Sequence, residues 1–475
     1  MNETADLARQ LAQLLDEGGV VTDPDRIAPM LSDHRALYRG SALAIVTPAD
    51  TAAVARVLAW CNERRIGVVP QGGNTSYCGG ATPDDSGRQV LLSLARLNRV
   101  RGIDPANYTM IAEAGCILAN LQAAAKAADR YLPLSLGAEG SCMLGGNLST
   151  NAGGLNVIRY GMAREMVLGL EVVLPDGRVL DTLTGLRKDN TGYDIKSLFL
   201  GAEGTLGVIT AACLELQPAP RSFATAFLAV RDPSAAVELL GALRAASGDS
   251  VSSFELIPRI GIDLTTRHIP GVVDPLSSPA GWYVLCELSS PRADDSLGAI
   301  LETSLADATE AGWVLDGSVA MSERERDAFW RLRETIPEAQ RKDGASLKHD
   351  ISVPVSRVPE FIERAGAWVA TNVPQGVLVA YGHLGDGNLH FNINQRHGTP
   401  AAQLQAAEPK LKRAIHDIVR EFGGSFSAEH GIGRLKVAEL ERYADPVELE
   451  LMRRVKQAFD PNGIMNPGKV LRRLS

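Results

Sequence analysis

The chain has 475 residues, of which 45% are hydrophobic and 22% are charged, as in an ordinary globular protein. This length exceeds what one hydrophobic core usually supports, so we expect two or three domains. A net charge of −8, with no basic stripe of interleaved aromatic residues, argues against a nucleic-acid-binding protein.

Membrane and secretory signals are also missing from the sequence. No stretch approaches the roughly 18 consecutive apolar residues of a membrane span. The acidic start, Met1-Asn-Glu-Thr-Ala-Asp, lacks the apolar core of a signal peptide. The six cysteines are scattered without a Cys-x-x-Cys pair, so iron–sulfur and thiolate zinc sites are not supported. We therefore expect a cytoplasmic protein in which any redox chemistry would require a bound cofactor or a metal.

The first predicted elements alternate between helix and strand. Residues 3–16 are typical of an amphipathic helix, with leucines at helical spacing. Asp50 is expected to cap a helix that runs through Arg64, and residues 66–70 then predict a buried strand. A further strand over residues 109–114 precedes a helix near 117–129.

Four glycine-rich segments follow or interrupt these elements, at residues 71–76, 145–154, 188–194 and 201–210. Such segments form tight turns, in which glycine provides positive φ, or they let backbone N–H groups approach a phosphate. Four of them, two directly after an apolar strand, favour a phosphate-bearing cofactor. None has the Gly-x-Gly-x-x-Gly or P-loop pattern, so the cofactor site is neither of the Rossmann nor of the P-loop class.

Past Pro218 and Pro220, a plausible domain boundary, two histidines flank an Asp386-Gly387 dipeptide that is typical of a two-residue hairpin. Such a hairpin would place His383 and His390 directly opposite each other, with Cβ atoms roughly 5 Å apart, so that both imidazoles could share one metal.

A Glu429-His430 pair follows about forty positions later and would point to opposite faces of a regular strand. From spacing alone, structural histidines are the favoured explanation of this pattern, and a metal centre is the alternative.

Taken together, the segments 70–76, 145–154, 201–210 and 464–469 and the Gly-His-x-Gly-Asp-Gly-Asn-x-His run resemble a known family. They are similar to the vanillyl-alcohol-oxidase-type (PCMH) flavoproteins and, within these, to the FAD-linked D-2-hydroxyacid dehydrogenases. The similarity extends over nearly the whole chain from about residue 30.

The resemblance implies an α+β protein with a PCMH-type FAD-binding domain and an α+β substrate domain built on an antiparallel sheet. Residues 1–37 would form an N-terminal helical segment, residues 38–219 the FAD-binding domain, and residues 220–475 the substrate and metal domain, of which about 430–475 return to the flavin.

The resemblance also assigns the cofactor-binding residues. Some members attach FAD to a histidine in the first glycine segment, where this chain has Asn74, so we expect non-covalent FAD. The expected FAD contacts are Gln71, Gly72, Gly73, Asn74, Thr75, Ser76, Gly140, Ser141, Gly146, Asn147, Thr150, Asn151, Gly153, Gly154, Glu203, Gly204, Gly207, Val208, Ile209 and Asn466.

By the same resemblance, His383, His390 and Glu429 would bind a divalent metal, Zn²⁺ foremost, with Mn²⁺ or Co²⁺ as alternatives. The metal would bind the substrate's 2-hydroxyl and lower its pKa. His430 would bind substrate and accept the hydroxyl proton as general base, for which its near-neutral pKa range is suited.

Substrate carboxylates would bind Arg333, Lys348 and Asn392, although solvated surface cations are the simpler explanation of the Arg and the Lys. Lys348 favours a dicarboxylate such as D-2-hydroxyglutarate. Pro337, where the hydroxyglutarate enzymes usually have threonine, favours D-lactate or a glycolate-like substrate.

The expected partners are the small D-2-hydroxyacid and an external electron acceptor, either an electron-transfer flavoprotein or a quinone-linked carrier, and a homodimer is among the expected assemblies. A zinc hydrolase that uses the same histidines is the alternative outside the family, but it would leave the four glycine segments without a purpose.

Overall fold

The computed structural model describes residues 3–293 and 296–473. These residues divide into two compact units. The first unit comprises the described residues up to Gly154, then Gly161–Ala219, and the residues from Glu429 onward. The second unit comprises Leu155–Tyr160 and the described part of Pro220–Ala428.

Helices occur in both units, and α3 shows how the sequence starts and stops one. The Asp50 side chain accepts the N–H of Ala53 at 2.7 Å, which caps the helix, and Arg64 is its C-cap. The helices are α1 (Glu3–Ala12), α2 (Pro24–Met30), α3 (Thr51–Glu63), α4 (Leu118–Ala127), α5 (Leu144–Ser149), α6 (Val157–Tyr160), α7 (Pro233–Ala246), α8 (Arg259–His268), α9 (Ser296–Glu310), α10 (Glu323–Glu334), α11 (Ile336–Asp343), α12 (Val358–Asn372), α13 (Ala401–Glu421), α14 (Val437–Tyr443) and α15 (Pro446–Phe459).

Strands also occur in both units. They are β1 (Ala44–Val46), β2 (Val68–Gln71), β3 (Val90–Ser93), β4 (Val100–Asp104), β5 (Thr109–Glu113), β6 (Arg130–Tyr131), β7 (Val167–Val173), β8 (Val179–Asp181), β9 (Val208–Glu215), β10 (Gln217–Pro218), β11 (Ser222–Val230), β12 (Val251–Pro258), β13 (Trp282–Ser290), β14 (Val314–Val319), β15 (Ser346–Leu347), β16 (Asp350–Ser352), β17 (Gly376–His383) and β18 (Asn388–Gln395).

The first unit contains two main sheets. The smaller is parallel, in the order β1-β3-β2, and the larger is antiparallel, in the order β4-β5-β9-β7-β8. The returning C-terminal segment extends the parallel sheet, because Met465 bridges Val68 in parallel. A short antiparallel pair joins β6 to β10.

The second unit is an antiparallel sheet between two helical layers. Its order is β14-β11-β13-β12-β17-β18-β15, with β16 also paired to β18. Alternate residues of β11 face opposite cores, as a strand requires. Leu228 belongs to the core that also contains residues of α7, α9, α12 and α13, whereas Phe227 belongs to the core that contains residues of α8, α10 and α11.

Residues 155–160 belong to the second unit although they lie within the glycine-rich half of the sequence. The Ser253 hydroxyl of β12 donates to the Leu155 carbonyl at 3.0 Å, and Ile158 packs against the second unit's core. No periodicity in this short segment indicates such a placement.

Most early elements form where the sequence predicts them, with shifted ends. The first helix ends at Ala12, before Leu14 and Leu15, and the chain turns at Gly18 with a φ of 78°. The predicted strand over 66–70 begins later, at Val68, which pairs with Val90, the first residue of the neighbouring parallel strand β3. The strand at Thr109 and the helix α4 are confirmed.

Candidate functional site

The first glycine segment leaves the carboxyl end of β2 and presents its backbone. The N–H groups of residues 72–76 have no hydrogen-bond acceptor within residues 3–293 and 296–473, although these residues are half-buried. Successive backbone N–H groups can together bind an anion, so five in a row without a protein acceptor suit an anionic group. This observation fits a bound pyrophosphate.

The flanking side chains of this segment hold it in place. Gln71 donates to the carbonyls of Met30 and Ala81, each at 2.9 Å. Asn74, with a φ of 54°, donates to the Ser32 carbonyl at 2.8 Å. Both amides are therefore used to shape the segment, and its N–H groups remain the atoms available to a cofactor.

The close approach of the first glycine segment to Ser141 explains why glycine is needed at Gly73. A Cβ at Gly73 would lie 2.2 Å from the Ser141 carbonyl oxygen, which backbone atoms cannot accommodate. In contrast, a Cβ at Gly140 or Gly146 would meet no described atom within 4 Å. The first glycine segment thus packs against Ser141 at Gly73, and open space remains beside Gly140 and Gly146.

The second glycine segment differs from the expected loop, because residues 144–149 form the helix α5. Its polar side chains bond locally. Asn147 donates to the Cys142 sulfur at 3.5 Å, Thr150 donates to the Gly146 carbonyl at 3.0 Å, and the Asn151 side-chain oxygen accepts the Arg164 N–H at 2.9 Å.

The third cofactor segment is joined to the returning C-terminal residues. Glu203 is buried, and its carboxylate accepts the N–H groups of Ile432 and Gly433 at 2.7 and 2.8 Å. Burial raises the pKa of Glu203 to about 6, although these two hydrogen bonds oppose the shift. Asn466 donates to the carbonyls of Gly80 and Glu203, at 2.9 and 2.8 Å. Both side chains therefore hold the site together from within.

The remaining predicted contacts of this segment pack closely. Gly204 has a φ of 69°, and a Cβ on it would lie 3.1 Å from a Pro70 side-chain carbon. A Cβ on Gly207 would lie 2.9 Å from the Val173 carbonyl oxygen. Val208 and Ile209 begin β9 and are buried.

Glu429 and His430 open the returning part of the first unit, in an irregular stretch rather than the regular strand considered from the sequence. The Glu429 carboxylate accepts the Gly154 N–H at 2.7 Å. The His430 ring lies 4.7 Å from the ring of Tyr77, which directly follows the first glycine segment. The structure therefore places both residues against the predicted FAD segments.

In the second unit, the hairpin between β17 and β18 is longer than its Asp-Gly dipeptide predicts. Tyr381, rather than His383, pairs with His390, and residues 384–387 form the turn. The prediction of a two-residue turn was wrong because only Gly387 has positive φ, at 80°. Asp386 instead accepts the Asn388 N–H at 3.0 Å through its side chain.

The two histidines nevertheless share a face. A shift of two residues preserves the side on which each side chain projects, so His383 and His390 become diagonal neighbours. Their ring centroids are 5.6 Å apart. The proximity inferred from the sequence is thus retained with a different register.

A buried carboxylate organises this face of the sheet. Glu255 of β12 is fully buried, with one oxygen 2.5 Å from Nδ1 of His383 and the other 2.6 Å from Nε of Arg333. Its burial opposes ionisation, but the Arg333 and His383 charges outweigh it and lower the pKa of Glu255 to about 2. Glu255 is therefore ionised at neutral pH.

The contact with Glu255 also determines which nitrogen of His383 is available to a metal. An ionised carboxylate on Nδ1 fixes the proton there, so Nε2 of His383 is the nitrogen that would bind a metal. Sequence reasoning missed Glu255. The signal was a lone acidic residue in Val251–Pro258, an otherwise uncharged strand whose residues are all buried.

The predicted substrate residues differ in burial. Arg333 is only 4% exposed, so its interpretation as a solvated surface cation was wrong. Lys348 is exposed. Asn392 is buried, with its oxygen accepting the His349 N–H at 3.2 Å and its amide donating to Gln340 at 3.1 Å.

Comparison with known proteins shows to which family the chain belongs. Residues 42–183 match an FAD binding domain, and residues 219–470 match the C-terminal domain of FAD linked oxidases. The chain belongs to the FAD-linked oxidase family. The expected family, its FAD dependence and its class of enzyme are thereby confirmed.

Relatives of nearly full length support this assignment. The chain is 42% identical over 460 residues to a probable mitochondrial D-2-hydroxyglutarate dehydrogenase of Oryza sativa subsp. japonica, covering 96% of this chain and 80% of the relative. It is 33% identical to the D-2-hydroxyglutarate dehydrogenase of Stutzerimonas stutzeri, covering 98% of each.

The fold is shared more widely than the sequence. The structure of p-cresol methylhydroxylase with bound substrate aligns with a TM-score of 0.76 at 18% identity, covering 99% of this chain and 98% of that one. This similarity confirms the PCMH-type α+β fold and carries no argument about substrate.

The described helices include none that is both long and apolar enough to cross a membrane. The cytoplasmic location remains a prediction, since the rice relative is named as mitochondrial.

Proposed function

We propose that the enzyme oxidises D-2-hydroxyglutarate to the 2-oxoacid, with the C2 hydride passing to non-covalent FAD. The observation that carries the substrate assignment is the similarity to D-2-hydroxyglutarate dehydrogenases over 96% of the chain. The buried Glu255–His383 pair supports the metal-dependent part of the proposed reaction, because a carboxylate on one nitrogen orients an imidazole for metal binding through the other.

FAD binding would use the backbone of the first unit. The unpaired N–H groups of residues 72–76 suit the pyrophosphate, and the open space beside Gly140 and Gly146 would admit the rest of the cofactor. Glu203 would act as a positioning residue, since its polar contacts lie within the protein. Asn466 donates within the protein, but its buried Oδ1 has no partner among the described residues and would remain available to FAD. We assign residues 38–219 and about 430–475 to this task, and the rest of 220–475 to the substrate and the metal.

A divalent metal would bind His383, His390 and Glu429. Two imidazoles and one carboxylate suit Zn²⁺ and leave coordination positions for substrate, while Mn²⁺ or Co²⁺ would also accept this donor set. When bound, the metal supplies positive charge that stabilises an ionising hydroxyl.

His430 would accept the proton of the substrate's 2-hydroxyl. It follows Glu429 directly, and its ring contacts Tyr77 at the end of the phosphate-binding segment. This position suits a base that must act beside the flavin, and an imidazole can both accept and release a proton near neutral pH.

The substrate carboxylates would be bound by Arg333 and Lys348. Arg333 uses Nε to hold Glu255, but a guanidinium carries five N–H donors, so a second acceptor is compatible with this contact. The exposed Lys348 would bind the distal carboxylate. Asn392 is assigned a positioning role, because both ends of its amide are engaged within the unit.

D-lactate or a glycolate-like acid is the second candidate substrate. Pro337 lies in the first turn of α11, where proline is favoured, and it offers no hydroxyl for a distal carboxylate. In either case the electrons would leave through an electron-transfer flavoprotein or a quinone-linked carrier.

Anaerobic reduction of the bound flavin by a panel of D- and L-2-hydroxyacids tests the proposal. We expect rapid bleaching by D-2-hydroxyglutarate, slower bleaching by D-lactate and glycolate, and none by the L-acids. Faster reduction by D-lactate would select the second candidate. A flavin that no 2-hydroxyacid reduces would refute the dehydrogenase assignment.

A further inference from the structure

A cleft in the first unit lies at the other end of the parallel sheet from the proposed phosphate-binding segment 72–76, and residues of two further proposed FAD segments, Thr205 and 466–469, line part of it. It has a volume of about 1030 Å³ and opens at the amino ends of the parallel strands, beside Leu43 before β1, Gly67 before β2 and Gln89 before β3. The phosphate-binding segment 72–76 follows the opposite, carboxyl end of β2. The two sites therefore lie at opposite ends of one sheet.

This cleft, which we call the cationic cleft, is strongly basic in a chain of net charge −8. Seven of the described residues that line it are arginine or lysine, and none is aspartate or glutamate. Four of the seven cations pair with carboxylates outside the lining. The pairs are Arg64–Glu63, Lys456–Asp460, Arg472–Glu441 and Arg473–Asp84.

The other three cations of the cationic cleft are Arg65, Arg88 and Lys469. No described carboxylate lies within salt-bridge distance of them. Arg65 and Arg88 are exposed, whereas Lys469 is 3% exposed. Burial, together with nearby Arg434, lowers the pKa of Lys469 to about 8, so the ammonium still predominates at pH 7. The Asp84 carboxylate attracts this ammonium but lies beyond salt-bridge distance and pairs with Arg473, so the buried charge remains costly unless an anion binds beside it.

Gln89 provides an independent indication of a ligand. Its side chain is 2% exposed, and its oxygen accepts the Asp84 N–H at 2.8 Å, which fixes the orientation of the amide. Its Nε2 is then a buried donor without an acceptor among the described residues. Leaving such a donor unpaired costs about 1–3 kcal/mol.

We propose that the cationic cleft binds a small, multiply charged anion that carries phosphate or carboxylate groups. Gln89 and Lys469 would bind one anionic group in the buried part, and Arg65 and Arg88 would bind a second group where the lining is exposed. The donors at Gln89 and Lys469 are too buried for a flat macromolecular surface to reach, which favours a small ligand. This inference is independent of the substrate proposed above.

Calorimetric titration of the FAD-saturated holoenzyme tests the proposal, with pyrophosphate and citrate as probes. Saturation with FAD removes the flavin phosphate site from the measurement. We expect one site per chain whose affinity falls as salt rises. Arg65→Gln/Arg88→Gln should raise the Kd about tenfold, and Lys469→Met about 100-fold, because charge-assisted hydrogen bonds are lost.

Arg26→Gln is the matched control, because Arg26 is an exposed arginine of the first unit outside the cationic cleft. It should bind both probes like the wild type. Tighter binding of pyrophosphate than of citrate would assign the ligand to the phosphate class, and the reverse to the carboxylate class.

Three outcomes would overturn the proposal. They are no binding of either probe at millimolar concentration, wild-type affinity in the exposed double variant, or tighter binding of a single-stranded oligonucleotide than of both probes. Because the double variant changes only exposed side chains, it remains informative even if Lys469→Met fails to fold. None of these outcomes depends on whether the enzyme oxidises D-2-hydroxyglutarate.

Discussion

The two units of this protein differ in the atoms that their main proposed binding sites use. The first presents the backbone N–H groups of residues 72–76, held by glycines that permit close packing. The second presents charged side chains on a sheet, where Glu255 joins His383 to Arg333. A backbone site should be sensitive to an added Cβ, whereas a side-chain site should be sensitive to the identity of each charged group.

The largest effect on turnover is expected at His430, whose side chain belongs to the first unit and would add a proton acceptor to the backbone site there. His430→Gln should lower kcat by about 10²–10⁴-fold, the usual contribution of a general base, while FAD remains bound. Rapid-mixing reduction kinetics and the flavin spectrum measure both quantities. His397→Gln, which changes an exposed histidine, is the control, and equal kcat values in the two variants would remove His430 from the mechanism.

Glu255→Gln tests whether the second unit depends on the charge of one side chain. It leaves Arg333 buried beside a neutral amide, so the free energy of unfolding should fall by on the order of 3 kcal/mol, as for a broken buried ion pair. Urea denaturation at pH 7 measures this loss, and Glu238→Gln, on the surface of α7, should change it little. Wild-type stability in Glu255→Gln would contradict the role of this pair.

The pH dependence of unfolding sharpens the same point. Because the folded pKa of Glu255 is lowered to about 2 from an ordinary value of 4.5, its contribution is complete above about pH 4.5. That contribution should be lost as the pH falls from about 4.5 through 2. The difference in unfolding free energy between wild type and Glu255→Gln should therefore shrink over this range, and a constant difference would disprove the assignment.

Gly73→Ala tests the backbone site of the first unit. Its Cβ would overlap the Ser141 carbonyl oxygen, and overpacking of this kind costs about 1–3 kcal/mol. The Kd for FAD should rise about 10–100-fold, measured by quenching of flavin fluorescence. Gly102→Ala is the control because its Cβ meets no described atom within 4 Å. Equal FAD affinity in the two variants would argue against the proposed cradle.

The smallest effect is expected at Lys348, the exposed substrate residue of the second unit. Lys348→Ala should lower kcat/KM for D-2-hydroxyglutarate about tenfold and leave that for D-lactate nearly unchanged, since only the first has a distal carboxylate. Steady-state assays with an artificial acceptor measure both. Equal losses for the two substrates would mean that Lys348 does not bind the distal carboxylate.

The sequence predicted the fold class and the family because helix caps, strand patterns and glycine segments are local signals. Asp50 caps α3 as expected, and Thr109 begins a strand. The sequence could not predict the register at His383, because the backbone conformation of Asp386 and Gly387 depends on how the turn packs. Gly387 lies against Val353, and a Cβ on it would be 2.0 Å from the Val353 carbonyl oxygen.

Long-range contacts were also beyond the sequence. Glu255 and Arg333 are separated by 78 positions, and no local pattern connects them. Likewise, nothing near Glu203 indicates that its carboxylate accepts the N–H groups of Ile432 and Gly433. Residue types identified the chemistry, whereas the partner of each charged group emerged only from the folded chain.

The most direct test of the proposed division of labour is anaerobic reduction of the flavin by D-2-hydroxyglutarate before and after metal depletion with a chelator. We expect the depleted enzyme to keep its FAD and to be reduced at least about 100-fold more slowly, with the rate restored by Zn²⁺, Mn²⁺ or Co²⁺. An unchanged reduction rate in protein shown to be free of metal would contradict the account.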